Sequence, residues 1–368
     1  MGISVAAFKA KLAADVKDHN IESIEQTTDI INRAQKVVNG VQIQELNAVM
    51  DILADDIFDD TQQDYYIIID DLDTGWVHDS LRFKLVRALM ETVKKFRRIP
   101  NLKIILGLRA DLLETVLNQT SSAGFQTEKF EDTMLRLHWT RAELKELADK
   151  RIAYSFQDQY TNKTANFYDV FAPRVGEQDS FDFILERTLF RPRDLISYMN
   201  ECLISASGTS SVSQKNIRAA EAPYSKKRLR SLADEWREVY GDLEDPIGVL
   251  RGVDVRFTSS DVTDLLVENL CINMLAGDNT SNYGTFAKEC ELATSVAYSY
   301  AMLRRKLLQT LYIIGAIGFK MHKGSRYEWS FRNEPLLGYD GLTIDSSFAI
   351  HPMLFRELNK RAGPAHLI

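Results

Sequence analysis

The sequence predicts an α/β fold that is predominantly helical, and three observations carry that expectation. An unbroken apolar run, Tyr65 to Ile69, and a second strand pattern, Leu102 to Leu108, flank an amphipathic helix pattern. Helical periodicity dominates most of the remaining chain, and near the C-terminus a helix pattern runs directly into a hairpin pattern. With 368 residues the chain is long enough for two or three domains, each with its own core.

Taken in order, residues 3–17 and 21–38 have helical spacing, and Gln42 to Phe58 places Leu46, Val49, Met50, Leu53 and Ile57 on one helical face. Nine aspartates fall between Asp51 and Asp73; the six from Asp51 to Asp64 read as solvating a helix end and a loop. Asp70, Asp71 and Asp73 differ, because they follow the strand Tyr65 to Ile69, whose unbroken apolar character suits a parallel sheet buried on both faces. Carboxylates at such a strand end face the ligand crevice of an α/β sheet. Asp79 or Ser80 caps a helix with Leu81, Leu85, Val86, Leu89, Val93 and Phe96, and Pro100 stops it. The second strand then ends in Arg109 and Asp111, and strand, helix, strand predicts a right-handed parallel crossover.

A third strand is expected at Met134 to Trp139, followed by a helix from Glu143 to Phe156 and another over Asp182 to Leu189. This region reads as a helical lid. Arg191-Pro192-Arg193-Asp194-Leu195-Ile196 opens a further helix, with proline in the first turn where its missing N–H costs nothing. A serine-rich loop, Ser205 to Ser213, leads to a short helix ending near Ala220. From Pro223 a basic cluster, Lys226, Lys227, Arg228 and Arg230, begins a third region with helices recurring to about Leu311. Gly315 and Gly318, the strand Phe319 to His322, the turn Lys323-Gly324-Ser325 and the strand Arg326 to Phe331 form the hairpin, and helix-into-hairpin is the layout of a winged helix. The expected domains are 1–140, 141–222 and 223–368.

Composition bounds the function. Hydrophobic residues at 45% and charged residues at 26%, with a mean hydropathy of -0.22, describe an ordinary globular chain. No apolar run approaches the roughly 18 residues of a spanning helix, and no signal pattern opens the chain, so no membrane role and a cytoplasmic location are expected. A net charge of -7 argues against a global nucleic-acid-binding surface while allowing a local basic patch. Cys202, Cys271 and Cys290 share no CxxC spacing and are expected as reduced thiols. No HExxH, nucleophile elbow, EF-hand loop or Rossmann fingerprint appears. The six histidines are dispersed and each reads as structural rather than catalytic, with His351 the least clear-cut because its Ile-His-Pro setting follows the expected winged helix.

Four hydrophobic residues followed by two acids also match what a nucleotide hydrolase needs: one strand-end carboxylate for Mg²⁺, here Asp70, and a second, Asp71, to orient the attacking water. The same pattern arises in an ordinary capped strand end. Arg109 is open to two readings, a sensor of the terminal phosphate or an ion-pair partner of Asp70 or Asp73. Arg191 and Arg193 have the geometry for bidentate phosphate contacts, or form ion pairs between domains. Together, Tyr65 to Asp73, Ile104 to Arg109 and Arg191 to Ile196 resemble the Walker B, sensor 1 and lid-arginine regions of AAA+-related STAND and KAP-type P-loop ATPases. In particular they resemble a bacterial group of large predicted ATPases with an Asp-Asp-Leu-Asp Walker B and an Arg-Pro-Arg-Asp-Leu-Ile lid motif. The likeness is clearest over residues 40–200, and Gly315 to Phe331 with Ile350-His351-Pro352 resembles that group's C-terminal region. It implies a partial P-loop parallel sheet, a helical lid, a C-terminal winged helix, ATP and Mg²⁺ as ligands, and a role in antiviral or stress defence.

The departure from that family is that no GxxxxGK[ST] occurs, so the backbone nest and lysine for the β- and γ-phosphates are missing. Three accounts remain open: a piece of a longer protein, a site completed by a partner subunit or another copy, or a degenerate scaffold. The rival function is a non-enzymatic module, either a protein-interaction scaffold or a nucleic-acid binder using Lys226 to Arg230, Arg304-Arg305-Lys306, Lys320, Lys323 and Arg326. The apolar helix before the hairpin, with Leu303, Leu307, Leu308, Leu311, Ile313 and Ile314, is expected to be buried.

Overall fold

The computed structural model describes residues 48, 51–54, 58, 62–72, 79–109, 112–113, 116–117, 132–157, 165–276, 285–294, 299–320, 325–332 and 346–360. The helices expected at 3–17 and 21–38 lie outside the described residues, as do Asp73, Asp111 and Lys323. Among the described residues the protein is mostly helical with three small sheets. It divides into two compact units, one over residues 1–127 and one over 128–368.

In the first unit, β1 (Tyr65–Ile69) and β2 (Leu102–Leu106) pair in parallel, with Tyr65 opposite Leu102 and Ile69 opposite Leu106. Between them run α1 (Asp79–Val93) and a 3₁₀ turn (Lys94–Arg98). Phe83, Val86, Met90, Ile99, Leu102, Leu112 and Val116 are buried in this unit. The strands are not buried on both faces as their sequences suggest: Tyr66, Ile67, Ile68 and Ile105 are exposed, and so are Leu81 and Leu85 of α1. Among the described residues of this unit, two parallel strands and one helix have too little surface to cover a sheet whose two faces are both apolar.

In the second unit, residues 134–140 join no sheet, so the strand expected at Met134 to Trp139 does not form. Leu135 and Leu137 there are exposed. Next come α2 (Arg141–Gln157), the short α3 (Phe167–Val170), the small hairpin of β3 (Arg174–Val175) and β4 (Gln178–Asp179), and α4 (Ser180–Leu185). Helix α5 (Pro192–Ser205) starts with its proline in the first turn, as read from sequence. Helix α6 (Gln214–Tyr240) is 27 residues long, capped by a Ser213–Asn216 box. It continues past Ala220 and through Pro223, so the residue 222/223 boundary read from composition falls inside one helix.

Beyond α6 lie α7 (Glu244–Gly248), β5 (Arg256–Thr258), α8 (Asp264–Ala276), α9 (Thr285–Thr294) and α10 (Tyr300–Ile313). Leu303, Leu307, Leu308 and Leu311 of α10 are buried, as expected. Gly315 follows it at φ +79, a conformation glycine adopts freely, and reverses the chain into β6 (Ile317–Lys320). Of the hairpin expected from 319 to 331, His322 and the turn at Lys323 and Gly324 lie outside the described residues, and an antiparallel bridge joins Phe319 to Glu328. β6 also pairs with β7 (Ser347–Ile350), which pairs in turn with β5, giving the antiparallel order β5-β7-β6. One continuous core runs from Leu144 on α2 to Leu358, tying the helical region to this sheet.

Candidate functional site

The parallel register fixes the first group of residues. Ile69 lies opposite Leu106, and the Gly107 N–H donates to the Ile69 carbonyl at 2.8 Å, which carries the pairing one residue past the strands. Asp70 therefore leaves β1 directly beside Gly107. A β-carbon at residue 107 would stand 2.6 Å from Asp70 Oδ1, so the carboxylate rests where only glycine leaves room. Asp70 is exposed. Asp71 has φ 59, a left-handed conformation that aspartate tolerates better than most residues, and the chain turns away there. Arg109 is exposed two residues beyond Gly107, at the same end of the sheet. The structure thus brings Asp70, Asp71 and Arg109 to one strand end. Arg191 and Arg193 belong to the second unit.

Those two arginines flank the start of α5. Arg193 is exposed, with no ion pair among the described residues. Arg191 is nearly half exposed, and its Nη1 donates to Glu235 Oε2 at 2.8 Å. Glu235 also receives Arg228, Nη1 to Oε1 at 2.9 Å and Nη2 to Oε2 at 3.2 Å. Arg228 is buried and lies 3.3 Å from Asp194 Oδ1, while Asp194 Oδ2 caps the Leu189 N–H. Burial opposes the Arg228 charge, but Asp194 and Glu235 outweigh it and hold its pKa above the ordinary arginine value. Burial likewise pushes the Glu235 carboxyl up, yet hydrogen bonds and charge from Arg228 and then Arg191 bring it below the usual range.

Sequence reading found Arg191 and Arg193 but not the cluster that surrounds them. Glu235 lies 44 residues from Arg191, beyond the end near Ala220 that the sequence predicts for this helix, so the partners share no local pattern. The same helix places Arg228 inside, where the sequence had offered it to nucleic acid. Two others of that basic set are also engaged, Lys227 with Glu201 and Arg304 with Asp264, while Lys226 and Arg230 line a cleft with Arg251, Glu244, Asp245 and Glu357. His351 is fully buried and acts as a cap, its Nδ1 accepting from the Met353 N–H at 3.1 Å. Among the described residues no three carboxylates, histidines or cysteines gather to hold a metal, and no helix is long and apolar enough to cross a membrane.

Comparison with known proteins adds to this geometry. Residues 142–233, from α2 into α6, match the FunZ-associated C-terminal helical domain. The chain is 22% identical over 302 residues to the transposon gamma-delta 80.3 kDa protein of Escherichia coli strain K12, across 80% of this chain and 40% of that protein. It therefore spans about 40% of that relative's length. It is also 25% identical over 134 residues to Allergen Alt a 2 of Alternaria alternata, covering 36% of this chain and 70% of that one. No solved structure matches the chain. The chain is thus similar to a transposon protein over most of its length and carries, at α2 to α6, a match to a helical domain associated with FunZ.

Proposed function

We propose that this chain is the strand-end and lid portion of a nucleotide-dependent switch ATPase of the AAA+-related STAND and KAP type. It would work in the cytoplasm, in a setting of antiviral defence or mobile DNA; the transposon relative supports the second. The observation that carries the reading is the parallel register that sets the Asp70 carboxylate over Gly107 at the shared end of two strands. An exposed strand-end carboxylate beside a glycine suits an ion that keeps most of its waters. On the first unit, Asp70 would hold Mg²⁺ through water, Asp71 would position the attacking water and Arg109 would take a phosphate oxygen; on the second, Arg191 and Arg193 are the arginines that the family resemblance assigns to phosphate. When bound, Mg²⁺ neutralises charge developing on the β- and γ-phosphates. The phosphate loop would come from another segment or a partner subunit, and the assembled form would be an oligomer.

The chain alone is expected to bind Mg-ATP no better than millimolar, about -4 kcal/mol, with no turnover above background. Two carboxylates beside a triphosphate repel it unless the metal is shared. Calorimetry checks the first expectation. A longer polypeptide bearing GxxxxGK[ST] should hydrolyse ATP, and Asp71→Asn should abolish hydrolysis while sparing binding. Micromolar binding by the isolated chain, lost on Asp70→Ala, would defeat this account.

The order β5-β7-β6 behind α8 to α10 also favours a second reading, a winged helix without enzymatic activity. Pairing of Lys227, Arg228 and Arg304 within the protein removes three cations from the basic set offered to phosphates. Binding to duplex DNA that falls steeply with salt and ignores sequence would support it.

A further inference from the structure

Arg191 and Arg228 meet one carboxylate from opposite situations. Arg191 reaches Glu235 from a half-exposed position with a single hydrogen bond, whereas buried Arg228 holds both of its oxygens. Removing one partner from a buried ion pair is costly because the other charge is left bare. Here the departure of Arg191 leaves Glu235 still held by a bidentate arginine, and Arg228 keeps Asp194 as well. An exposed ion pair is also weak and readily exchanged for a more highly charged anion.

The backbone beside Arg191 supplies an independent observation. Phe190 has φ 55, uncommon for a bulky residue, and its N–H is taken by Thr188 Oγ1 at 3.2 Å. Such strain is kept where surrounding structure over-determines it. The Phe190 ring stacks on Phe331 with centroids 6.2 Å apart, and the Arg332 guanidinium lies over it at 4.4 Å. Movement of Arg191 is therefore tied on one side to α6 and on the other to residues next to the C-terminal sheet. Helix α6 reaches the same region through Glu221, which accepts from Arg187 and Arg356, and Ser225, which accepts from the Glu357 N–H.

We propose that Glu235 is the resting partner of Arg191, holding it against α6 and yielding it to a terminal phosphate, with Arg228 retaining the carboxylate. Glu235 is then a positioning residue that sets how strongly the lid answers a polyphosphate. The proposal rests on the nucleotide reading above, and inorganic tripolyphosphate tests it separately from hydrolysis. Titrated calorimetrically into the full chain, tripolyphosphate should bind Glu235→Gln roughly threefold to tenfold more tightly than the unsubstituted chain. That gain should vanish when Arg191→Gln is combined with it, and Asp234→Asn, an exposed charge removal on the same helix, should not reproduce it. In the unsubstituted chain, arginine side-chain NMR should show tripolyphosphate shifting the Arg191 Nε resonance and sparing that of Arg228.

Equal shifts at both arginines, no shift at Arg191, or a gain that survives the loss of Arg191 would overturn the exchange. So would the absence of tripolyphosphate binding in every variant. The two ideas fail separately: hydrolysis by a phosphate-loop-bearing protein without an Arg191-dependent gain leaves the ATPase reading and removes the exchange. An Arg191-dependent gain without hydrolysis does the reverse.

Discussion

His351 packs edge-on against Trp329 and Phe331, with ring centroids 4.9 and 5.4 Å away, and holds the turn Pro352–Leu354 through its Nδ1. Burial, then the nearby charges of Arg228, Arg332 and Arg187, press its pKa well below the ordinary 6.5. It is therefore a neutral core residue, and its setting in the sequence reflects a cap. Because its folded pKa lies below the unfolded one, the unfolded chain takes up the proton first as pH falls. Stability is full above pH 6.5 and declines below it, by at most about 1.4 kcal/mol per pH unit for this one proton. Glu235 adds its own loss only at lower pH, below the usual carboxylate value, since its pKa is depressed. Urea unfolding at pH 7 and pH 5 should show the decline, and His351→Asn, which keeps a capping oxygen, should reduce it. An undiminished decline in that variant would assign the acid sensitivity to other groups.

At the scale of elements, α6 organises the second unit. Its side chains hold Arg187 and Arg356 at Glu221, Asp194 at Arg228 and Arg191 at Glu235. Pro223 sits exposed inside it, where proline removes the donor to the Ala219 carbonyl and crowds the preceding turn, a cost of about 3 kcal/mol in a regular helix. Pro223→Ala is expected to raise the thermal midpoint by a few degrees, about 1 kcal/mol or more. A lower midpoint would mean that the packing of buried Tyr224, stacked on Tyr198 at 4.5 Å, requires the proline's geometry. Pro223 also shows what the sequence could not convey. Local signals were sufficient for β1, β2, α2 and the proline-led start of α5, each defined by its own residues. They were insufficient where a distant partner decides: Pro223 reads as a helix breaker, but flanking turns packed in a common core carry the helix through it. Ser347–Ile350 is only four residues, and its strand exists because β5 and β6 flank it. Met134 to Trp139 has a strand's alternation yet joins no sheet. At the candidate site, Asp70, Asp71 and Arg109 were visible as a strand-end pattern, whereas Glu235 and Arg228 required the fold.

For the whole molecule, the two units differ in how completely they bury their apolar surface. The second has one core from α2 to the end of the described chain, while the first exposes Ile68 at 70% and Tyr66 at 56% on β1 and Ile105 at 47% on β2. Parallel strands with apolar residues on both faces are stable when both faces are covered, and each buried isoleucine contributes roughly 1.5–3 kcal/mol. The first unit forgoes much of that, so it should be the weaker of the two. Calorimetry is expected to show two transitions, the upper one belonging to the second unit, and an environment-sensitive apolar dye should bind before the lower one. Ile68→Lys should cut dye binding at 25 °C and leave the upper transition unmoved, because residue 68 is no part of the second core. A single cooperative transition without dye binding would show that the apolar faces are already satisfied. If the phosphate-loop segment completes this sheet, its addition should abolish dye binding and raise the lower transition, linking the stability of the strands to assembly of the proposed nucleotide site.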